Sequence, residues 1–226
     1  MYKIVDQFDI EITATDVLKG QGIDPERASE RLLNTAESIL AEAMSLIEPA
    51  AMYTLLEVKN FEHRKIDFAG GSFEGSLVGK AFAGAEHLYL AVCTIGETLE
   101  KKVEEMMNEN PVAGVTLDGA GIAAIGCVSK AVEDIISKET CELNLSLGMR
   151  AQPGQEGWPI EQQRQVFSIL PAEKIGMKLT ESCLMLPRKS VSFVIPRGKE
   201  LSNSVVPCDF CSKRNRCDWK KEKQAG

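Results

Sequence analysis

Apolar residues recur every three or four positions between residues 25 and 48, which is the spacing of one helical face. Asp24 and Pro25 stand at the start of this run and supply a capping side chain and a proline suited to a first helical turn. The pattern predicts an amphipathic helix over residues 25–48. Its apolar positions are Ala28, Leu32, Ala36, Ile39, Ala43 and Leu46.

Strand-forming patterns occupy four further stretches of the chain. Residues 53–69 and 86–94 favour strands, and glycines punctuate the space between them. Residues 144–151 are also β-like. Residues 189–196 alternate serines with larger apolar side chains, as a half-buried strand does. These stretches predict one sheet.

Helical spacing returns over residues 96–108 and 116–138, and Pro111 separates the two predicted helices. A shorter helix is predicted over residues 159–170. No internal repeat is visible. The order of elements favours an α+β fold, with a mixed or antiparallel sheet and flanking helices, over a parallel α/β sheet.

Three glycines inside the second long helical pattern need separate consideration. Gly119, Gly121 and Gly126 superficially match a dinucleotide-binding loop. Such a loop needs a strand before it and a turn within it, whereas these glycines lie inside helical periodicity. Close packing of the helix through small residues is therefore the better interpretation.

The composition is that of an ordinary globular protein. The chain has 226 residues, of which 44% are hydrophobic and 26% charged, and its formal net charge is −7. This acidity argues against non-specific nucleic-acid binding, because phosphates are held chiefly by clustered Lys and Arg. We expect a cytoplasmic location, since no apolar run approaches about 20 residues and no signal core opens the chain.

Histidine-based acid–base catalysis has little support. His63 and His87 are the two histidines of the chain, and neither neighbours the segments that carry motifs. A hydrolase triad likewise has no sequence support. This agrees with a role in which a cofactor supplies the chemistry and the protein supplies position.

A Pro-Gly turn follows Arg150 in the sequence Arg150-Ala-Gln-Pro-Gly154. The guanidinium of this arginine would suit a carboxylate, while the glycine lets backbone approach a ligand closely. The alternative is a surface arginine before an ordinary turn. Thr180, Glu181 and Ser182 add two hydroxyls and a carboxylate, but they would serve equally well as a helix cap or turn.

These two segments resemble the S-adenosylmethionine-binding activation domain of cobalamin-dependent methionine synthase. In that family an Arg-x-x-Pro-Gly-Tyr turn holds the methyl donor, and a Gly-x-x-Leu-Thr-Glu-Ser segment followed by Ser-Val-Ser lies near the donor and the corrin. Residues 86–122 and 163–170 are also similar to the family. The ligand-binding residues that the resemblance implies are Arg150, Pro153, Gly154, Gln155, Trp158, Thr180, Glu181, Ser182 and Ser190.

The resemblance implies a reductive reactivation component for a corrinoid-dependent methyltransferase. Residues around Trp158 and Pro159 are closest to free-standing members of the family, so the corrinoid would be carried by a separate protein. Nothing in this chain resembles the Asp-x-His-x-x-Gly cobalt-ligating motif. The implied cofactor is S-adenosylmethionine, and the implied electron donor is a flavodoxin or ferredoxin.

Two departures from the family pattern favour a rival hypothesis, a docking factor that kept the fold and lost the donor. Gln155 stands at the family's tyrosine position and removes an aromatic face. Ile195 replaces a second aromatic. Trp158 would restore a ring if it faced the ligand, although a tryptophan before a helix is more often a packed anchor.

Three of the seven cysteines lie within ten residues of the basic C-terminal segment, at Cys208, Cys211 and Cys217. With a fourth ligand, for which Cys183 is the natural candidate, they would hold zinc or an iron–sulfur cluster. An iron–sulfur electron-delivery protein is then a third functional hypothesis. The alternatives are free thiols or a labile disulfide. We therefore divide the chain into an activation-domain-like region, residues 1–206, and a Cys-rich basic tail, residues 207–226.

Overall fold

The computed structural model describes residues 1–199 and 201 of the chain. The predicted α+β class is confirmed, because helices flank an antiparallel sheet. Short 3-10 turns lie at Pro25–Arg27, Ile160–Gln162 and Ala172–Ile175. The strands and α-helices are β1 (Tyr2–Val5), α1 (Ala14–Gly20), α2 (Glu30–Leu46), β2 (Ala50–Glu62), β3 (Lys65–Phe68), β4 (Gly71–Glu74), α3 (Ser76–Ala81), β5 (His87–Thr94), α4 (Thr98–Glu109), α5 (Pro111–Cys141), β6 (Ser146–Leu147), α6 (Gln163–Ile169), β7 (Lys178–Leu179), β8 (Met185–Leu186) and β9 (Ser190–Gly198).

The sheet is built around β5, which pairs with β2 on one side and β9 on the other. The long strand β2 pairs with β1 through its first half and with β3 through its second half. β4 extends the sheet beyond β3, and β6 pairs with the end of β9. β7 and β8 form a separate two-stranded hairpin. All these pairings are antiparallel.

Both faces of the sheet are covered, so the molecule has two hydrophobic cores. Helices α1, α2, α4 and α5 pack on one face, which we call the helical face. Helices α3 and α6 and the β3–β4 hairpin pack on the opposite face. Successive residues of a strand point to opposite faces, so β5 contributes to both cores. On the helical side these residues are Tyr89, Ala91 and Cys93, and on the opposite side they are Leu88, Leu90 and Val92.

Helix α5 is the core helix of the first face. Pro111 occupies its first turn, and the side chain of Asn110 caps it by accepting a hydrogen bond from the Ala113 N–H at 3.3 Å. Among the described residues, α5 is long and apolar enough to cross a membrane by length and composition alone. No apolar stretch of that kind is expected from the sequence. More than half of its most apolar stretch is buried against the sheet and the neighbouring helices. Its apolar character is therefore that of a core helix.

The glycines of α5 lie inside the helix, as the periodicity indicates, and two of them pack closely. A Cβ at Gly119 would lie 2.8 Å from the Val17 carbonyl oxygen of α1, and one at Gly121 would lie 2.9 Å from Leu99 of α4. Gly126 differs, because a Cβ there would meet nothing within 4 Å. The packing interpretation therefore holds for the first two glycines and is wrong for the third.

The predicted helix over residues 25–48 begins later than expected. Asp24 does cap a turn, since its carboxylate accepts from the Glu26 N–H at 3.1 Å, but that turn is the short 3-10 segment. The chain is extended at Ala28 and Ser29. The Ser29 hydroxyl then accepts from the Leu32 N–H, so α2 begins at Glu30.

The segment preceding the Pro-Gly turn is less regular than predicted. Of residues 144–151, Ser146 and Leu147 form a strand and Ala151 makes an isolated bridge. The helix predicted over 159–170 is divided into a 3-10 turn and α6. The proposed boundary at residue 206 falls outside the described residues, so the division of the chain stays a prediction.

Substituting the two kinds of glycine in α5 gives opposite effects on stability. Gly126→Ala should raise the free energy of unfolding by about 1 kcal/mol, because alanine restricts the unfolded chain and meets no neighbour. Gly119→Ala should lower it by about 1–3 kcal/mol, because its methyl group collides with α1. Urea unfolding of both variants tests this contrast. Equal shifts would contradict the packing described for Gly119.

Candidate functional site

The segment between α5 and α6 returns along the edge of the sheet and is fixed there by Ala151. Its N–H donates to the Val194 carbonyl at 3.0 Å, and its carbonyl accepts from the Val194 N–H at 2.8 Å. Ala151 is fully buried in the second core. Because neighbouring residues of an extended chain point in opposite directions, this anchor turns Arg150 towards the helical face.

Arg150 lies between the sheet edge and α5. Its guanidinium carbon is 4.1 Å from the centre of the Phe193 ring. One guanidinium nitrogen donates to the Ser129 hydroxyl at 3.4 Å and forms an ion pair with Glu133. The two charged side chains retain 30% and 28% of their exposure, so the pair is half-buried and reachable from solvent.

The turn that follows is stabilised by its own polar groups. The Gln155 side-chain oxygen accepts from the Gln152 N–H at 3.0 Å, and the Gly154 N–H donates to the Trp158 carbonyl at 2.9 Å. Gly154 has φ +92°, a conformation that favours glycine. Pro153 is buried, whereas Gly154 is exposed. The amide of Gln155 therefore has a structural partner within the turn.

Trp158 is the anchor of this turn in the second core. It is 2% exposed, and its ring packs edge-on against Phe73 and Phe82 at centroid distances of 5.0 and 5.4 Å. Its indole N–H donates to Gln162 at 3.0 Å. The ring consequently presents no open face to a ligand beside Arg150.

An open cleft of about 570 Å³ adjoins the turn. Gln155 and Trp158 line it, together with Arg64, Glu74 and Gln162. Arg150 is not among its lining residues. The turn therefore does not bring Arg150 and Gln155 to one common cavity.

Thr180, Glu181 and Ser182 form the tip of the β7–β8 hairpin. The Thr180 hydroxyl accepts from the Leu184 N–H at 3.0 Å and lies 3.0 Å from the Ser182 hydroxyl, so Thr180 stabilises the turn. Glu181 and Ser182 are exposed, and the Glu181 carbonyl accepts from Arg164. The hairpin tip is thus a tight turn whose carboxylate faces solvent.

The strand after the hairpin ties it to both the sheet and the helices. Ser190 donates to the Thr94 hydroxyl at 3.1 Å. The Lys189 ammonium pairs with Asp118 of α5 at 2.7 Å. Buried Gln163 donates to the Ser192 hydroxyl at 2.7 Å, which joins α6 to β9. The hairpin, α6 and the sheet edge are therefore held in one fixed arrangement.

The partners of Arg150 were not predicted from the sequence. Glu133 and Ser129 come from α5 and are four residues apart on one helical face, while Phe193 comes from β9. The spacing of Ser129 and Glu133 places them on the same face, but nothing local relates them to a turn that follows. Their role depends on the path of the chain along the sheet.

Cys93 lies in the buried core near this pair. Burial raises the pKa of its thiol to about 12, with the Arg150 guanidinium opposing that rise and the Glu133 carboxylate adding to it. The thiol is therefore protonated at neutral pH, and it is fully buried on β5. Its burial and raised pKa disfavour thiolate chemistry at this position in the folded protein.

The expected metal ligands fall into two groups. Cys183 is buried, 6% exposed, with φ +63° beside the hairpin tip. Cys208, Cys211 and Cys217 lie outside the described residues. Within residues 1–199 and 201, no group of three or more His, Cys, Asp or Glu side chains is placed to hold a metal.

Comparisons with known proteins establish a likeness of fold. No protein-family model matches the chain, and no curated protein sequence matches it. Among solved structures, the crystal structure of the MetH reactivation domain bound to AdoHcy is similar with a TM-score of 0.61 and 15% identity, covering 89% of this chain and 80% of that one. The resemblance derived from the sequence is confirmed as a relationship of fold.

Alkylation of the native protein tests the burial of Cys93 beneath Arg150. Cys141, which is exposed, should react with iodoacetamide near neutral pH, whereas buried Cys93 should stay unmodified. Arg150→Ala should leave Cys93 unreactive, because burial outweighs the nearby charges in setting its pKa. Peptide mass spectrometry measures both sites. Labelling of Cys93 at the rate of Cys141 would contradict the described packing.

Proposed function

We propose that this chain binds S-adenosylmethionine at the Arg150 edge of the sheet and serves as a reactivation component for a separate corrinoid protein. The half-buried pair of Arg150 and Glu133 carries the proposal. The MetH reactivation domain, which has a similar fold, has been crystallised with AdoHcy. AdoHcy carries the same kind of amino-acid group as S-adenosylmethionine. The bound donor would supply the methyl group, and the chain would supply position.

The Arg150–Glu133 pair suits a zwitterionic α-amino acid. The carboxylate of such a ligand would accept from the Arg150 guanidinium, and the ammonium of the ligand would donate to the Glu133 carboxylate. Without ligand the two side chains neutralise each other, which removes the cost of two unpaired charges. Phe193 fixes the plane of the guanidinium from below. The pair therefore keeps the site oriented before the ligand arrives.

The β7–β8 hairpin is the proposed surface for the corrinoid partner. Its tip exposes the Glu181 carboxylate and the Leu184 side chain, which is 52% exposed. Arg188 braces the segment by pairing with Glu100 and Glu104 of α4. A loop braced in this way that presents both polar and apolar groups suits a macromolecular partner, since little conformational entropy is lost on binding.

A specific observation favours the rival function, a docking factor without a donor. Gln155 is engaged inside its turn, Trp158 is packed in the core, and Ile195 is 3% exposed. None of these three positions offers an open aromatic face beside Arg150. An adenine or sulfonium group would then depend on backbone and aliphatic contacts. Direct binding measurements separate the two functions.

Isothermal titration tests the donor site. S-adenosylmethionine and S-adenosylhomocysteine should both bind the native chain, and Arg150→Ala should weaken binding by roughly ten- to a hundredfold. The loss arises because one charge-assisted contact to the ligand carboxylate disappears. Glu133→Gln should weaken binding as well, because the ligand ammonium loses its ionic partner.

Arg27→Ala is the matched control, since Arg27 also pairs with a carboxylate, that of Asp24, at 3.4 Å on the surface. It should leave the affinity unchanged. Failure of the native chain to bind either ligand at millimolar concentration would overturn the donor function and leave the docking function. Equal weakening by Arg27→Ala would show that the arginine effect is not local.

The thiols of the tail remain a separate proposal. A metal held by Cys208, Cys211 and Cys217 would stabilise a short polar segment that has little apolar surface to bury. Anaerobically purified protein should contain about one zinc ion or one iron–sulfur cluster per chain, and Cys211→Ser should abolish it. Free alkylation of all three thiols, with no metal or sulfide found, would refute it.

A further inference from the structure

A cleft of about 770 Å³, larger than the one beside Trp158, lies between the N-terminal segment, α1 and α5. No residue of the proposed donor site or hairpin surface lines it. We call it the acidic cleft, because four carboxylates and two ammonium groups stand around it. These side chains are Asp9, Glu11, Asp16, Asp134, Lys19 and Lys130.

The floor of the acidic cleft is the outer face of α5, which carries the charged Lys130 and Asp134 at one end and is apolar at the other. Ile122, which is 42% exposed, lies there with Ala123 and Gly126. Apart from the two chain neighbours and the adjacent backbone of α5 itself, nothing from the described chain lies within 4 Å of the position a Gly126 Cβ would take. A surface helix normally turns polar side chains to solvent, so this apolar part of the floor can receive an apolar side chain of an occupant.

The charge around the cleft selects a cationic occupant. Four carboxylates against two ammonium groups give the rim a formal charge of −2. Lys130 is already paired with Asp134, and Asp16 accepts hydrogen bonds from Thr13. Asp9 and Glu11 are exposed. A segment with lysines or arginines around a large apolar side chain would complement this surface.

The chain itself contains such a segment. Residues 207–226 include six lysines and arginines against three acidic side chains, a formal charge of +3, whereas the whole chain carries −7. The basic residues surround Trp219, one of the two tryptophans. This segment therefore combines the charge and the apolar group that the acidic cleft requires.

The segment is long enough to reach the cleft. Leu201 lies beside Gly148 and Gly198, where β6 meets the end of β9. Trp219 follows it by 18 residues. With Cys208 and Cys217 drawn together on one metal, the nine residues outside that loop still extend about 30 Å. A domain of about 200 residues has a radius of gyration of only about 16 Å. Distance consequently does not prevent docking.

We propose that residues 213–223 dock in the acidic cleft of their own chain. Trp219 contacts the apolar floor formed by α5, and the neighbouring lysines face Asp9 and Glu11. Tethering makes the encounter intramolecular and keeps the local concentration of the segment high. Because the rim contacts are ionic and solvent-exposed, docking weakens as salt concentration rises.

Acrylamide quenching of tryptophan fluorescence in the full-length protein tests this docking. Trp158 is 2% exposed and supplies a weakly quenched background, so comparison with Trp219→Phe isolates the signal of Trp219. We expect Trp219 to be quenched several-fold less than in the peptide 207–226. High salt should remove this protection. Quenching equal to that of the peptide at low salt would overturn the proposal.

Matched charge reversals locate the surface. Asp9→Lys with Glu11→Lys should expose Trp219 to the quencher, whereas Glu105→Lys with Glu109→Lys on α4 makes the same charge change away from the cleft and should preserve protection. Gly126→Leu places a large side chain on the floor of the cleft, and leucine is compatible with the helix. This substitution should also expose Trp219. Equal responses to the two double substitutions would overturn the assignment to this cleft.

Carbodiimide coupling of lysines to carboxylates distinguishes one chain from two. Docking within a chain gives monomeric products that join Lys220, Lys221 or Lys223 to Asp9, Glu11 or Asp134, and their yield is independent of protein concentration. Cross-links of the same residues found only in dimers would overturn the proposal and assign the cleft to the tail of a second copy.

Discussion

Burial of β5 on both of its faces governs how the other strands and the helices can pack. Residues 88–94 are all buried, and alternate side chains belong to different cores. A shift of one residue in its pairing with β2 or β9 would exchange the two sets of side chains. Ala91, which faces the helices, and Leu90, which does not, differ too much in volume for both cores to tolerate that exchange.

The register of β5 with β9 sets the geometry of the candidate site. Tyr89 to Thr94 pair residue by residue with Ser190 to Ile195 of β9. The same strand then holds Ala151 through Val194, supports the Arg150 guanidinium through Phe193 and joins α6 through Ser192. One strand thus positions an ionic pair on the helical face and the hairpin and turn on the opposite side.

Our proposals assign separate functions to separate surfaces of the molecule. The sheet edge beside α5 holds the half-buried ion pair proposed for the methyl donor, and the hairpin presents a partner surface. The outer side of α5 carries the acidic cleft, which the donor site does not use. Because α5 contributes Glu133 to one and the apolar floor to the other, this helix connects the two regions physically.

The elements whose patterns are local were predictable from the sequence. Periodicity predicted the main helices and strands, Pro111 marked the helix boundary, and the Arg150 and Thr180 motifs pointed to a fold that the likeness to the reactivation domain confirms. These features follow from spacing and turn chemistry, which neighbouring residues specify.

What each motif residue contacts depends on how distant segments of the chain pack against one another. Trp158 became a core anchor because Phe73 and Phe82, far away in the chain, enclose its ring. Arg150 acquired Glu133 because the chain returns past α5 along β9. Gly119 and Gly126, although alike in sequence pattern, face a packed helix and an open cleft respectively. Such contacts join residues distant in sequence, so local composition does not encode them.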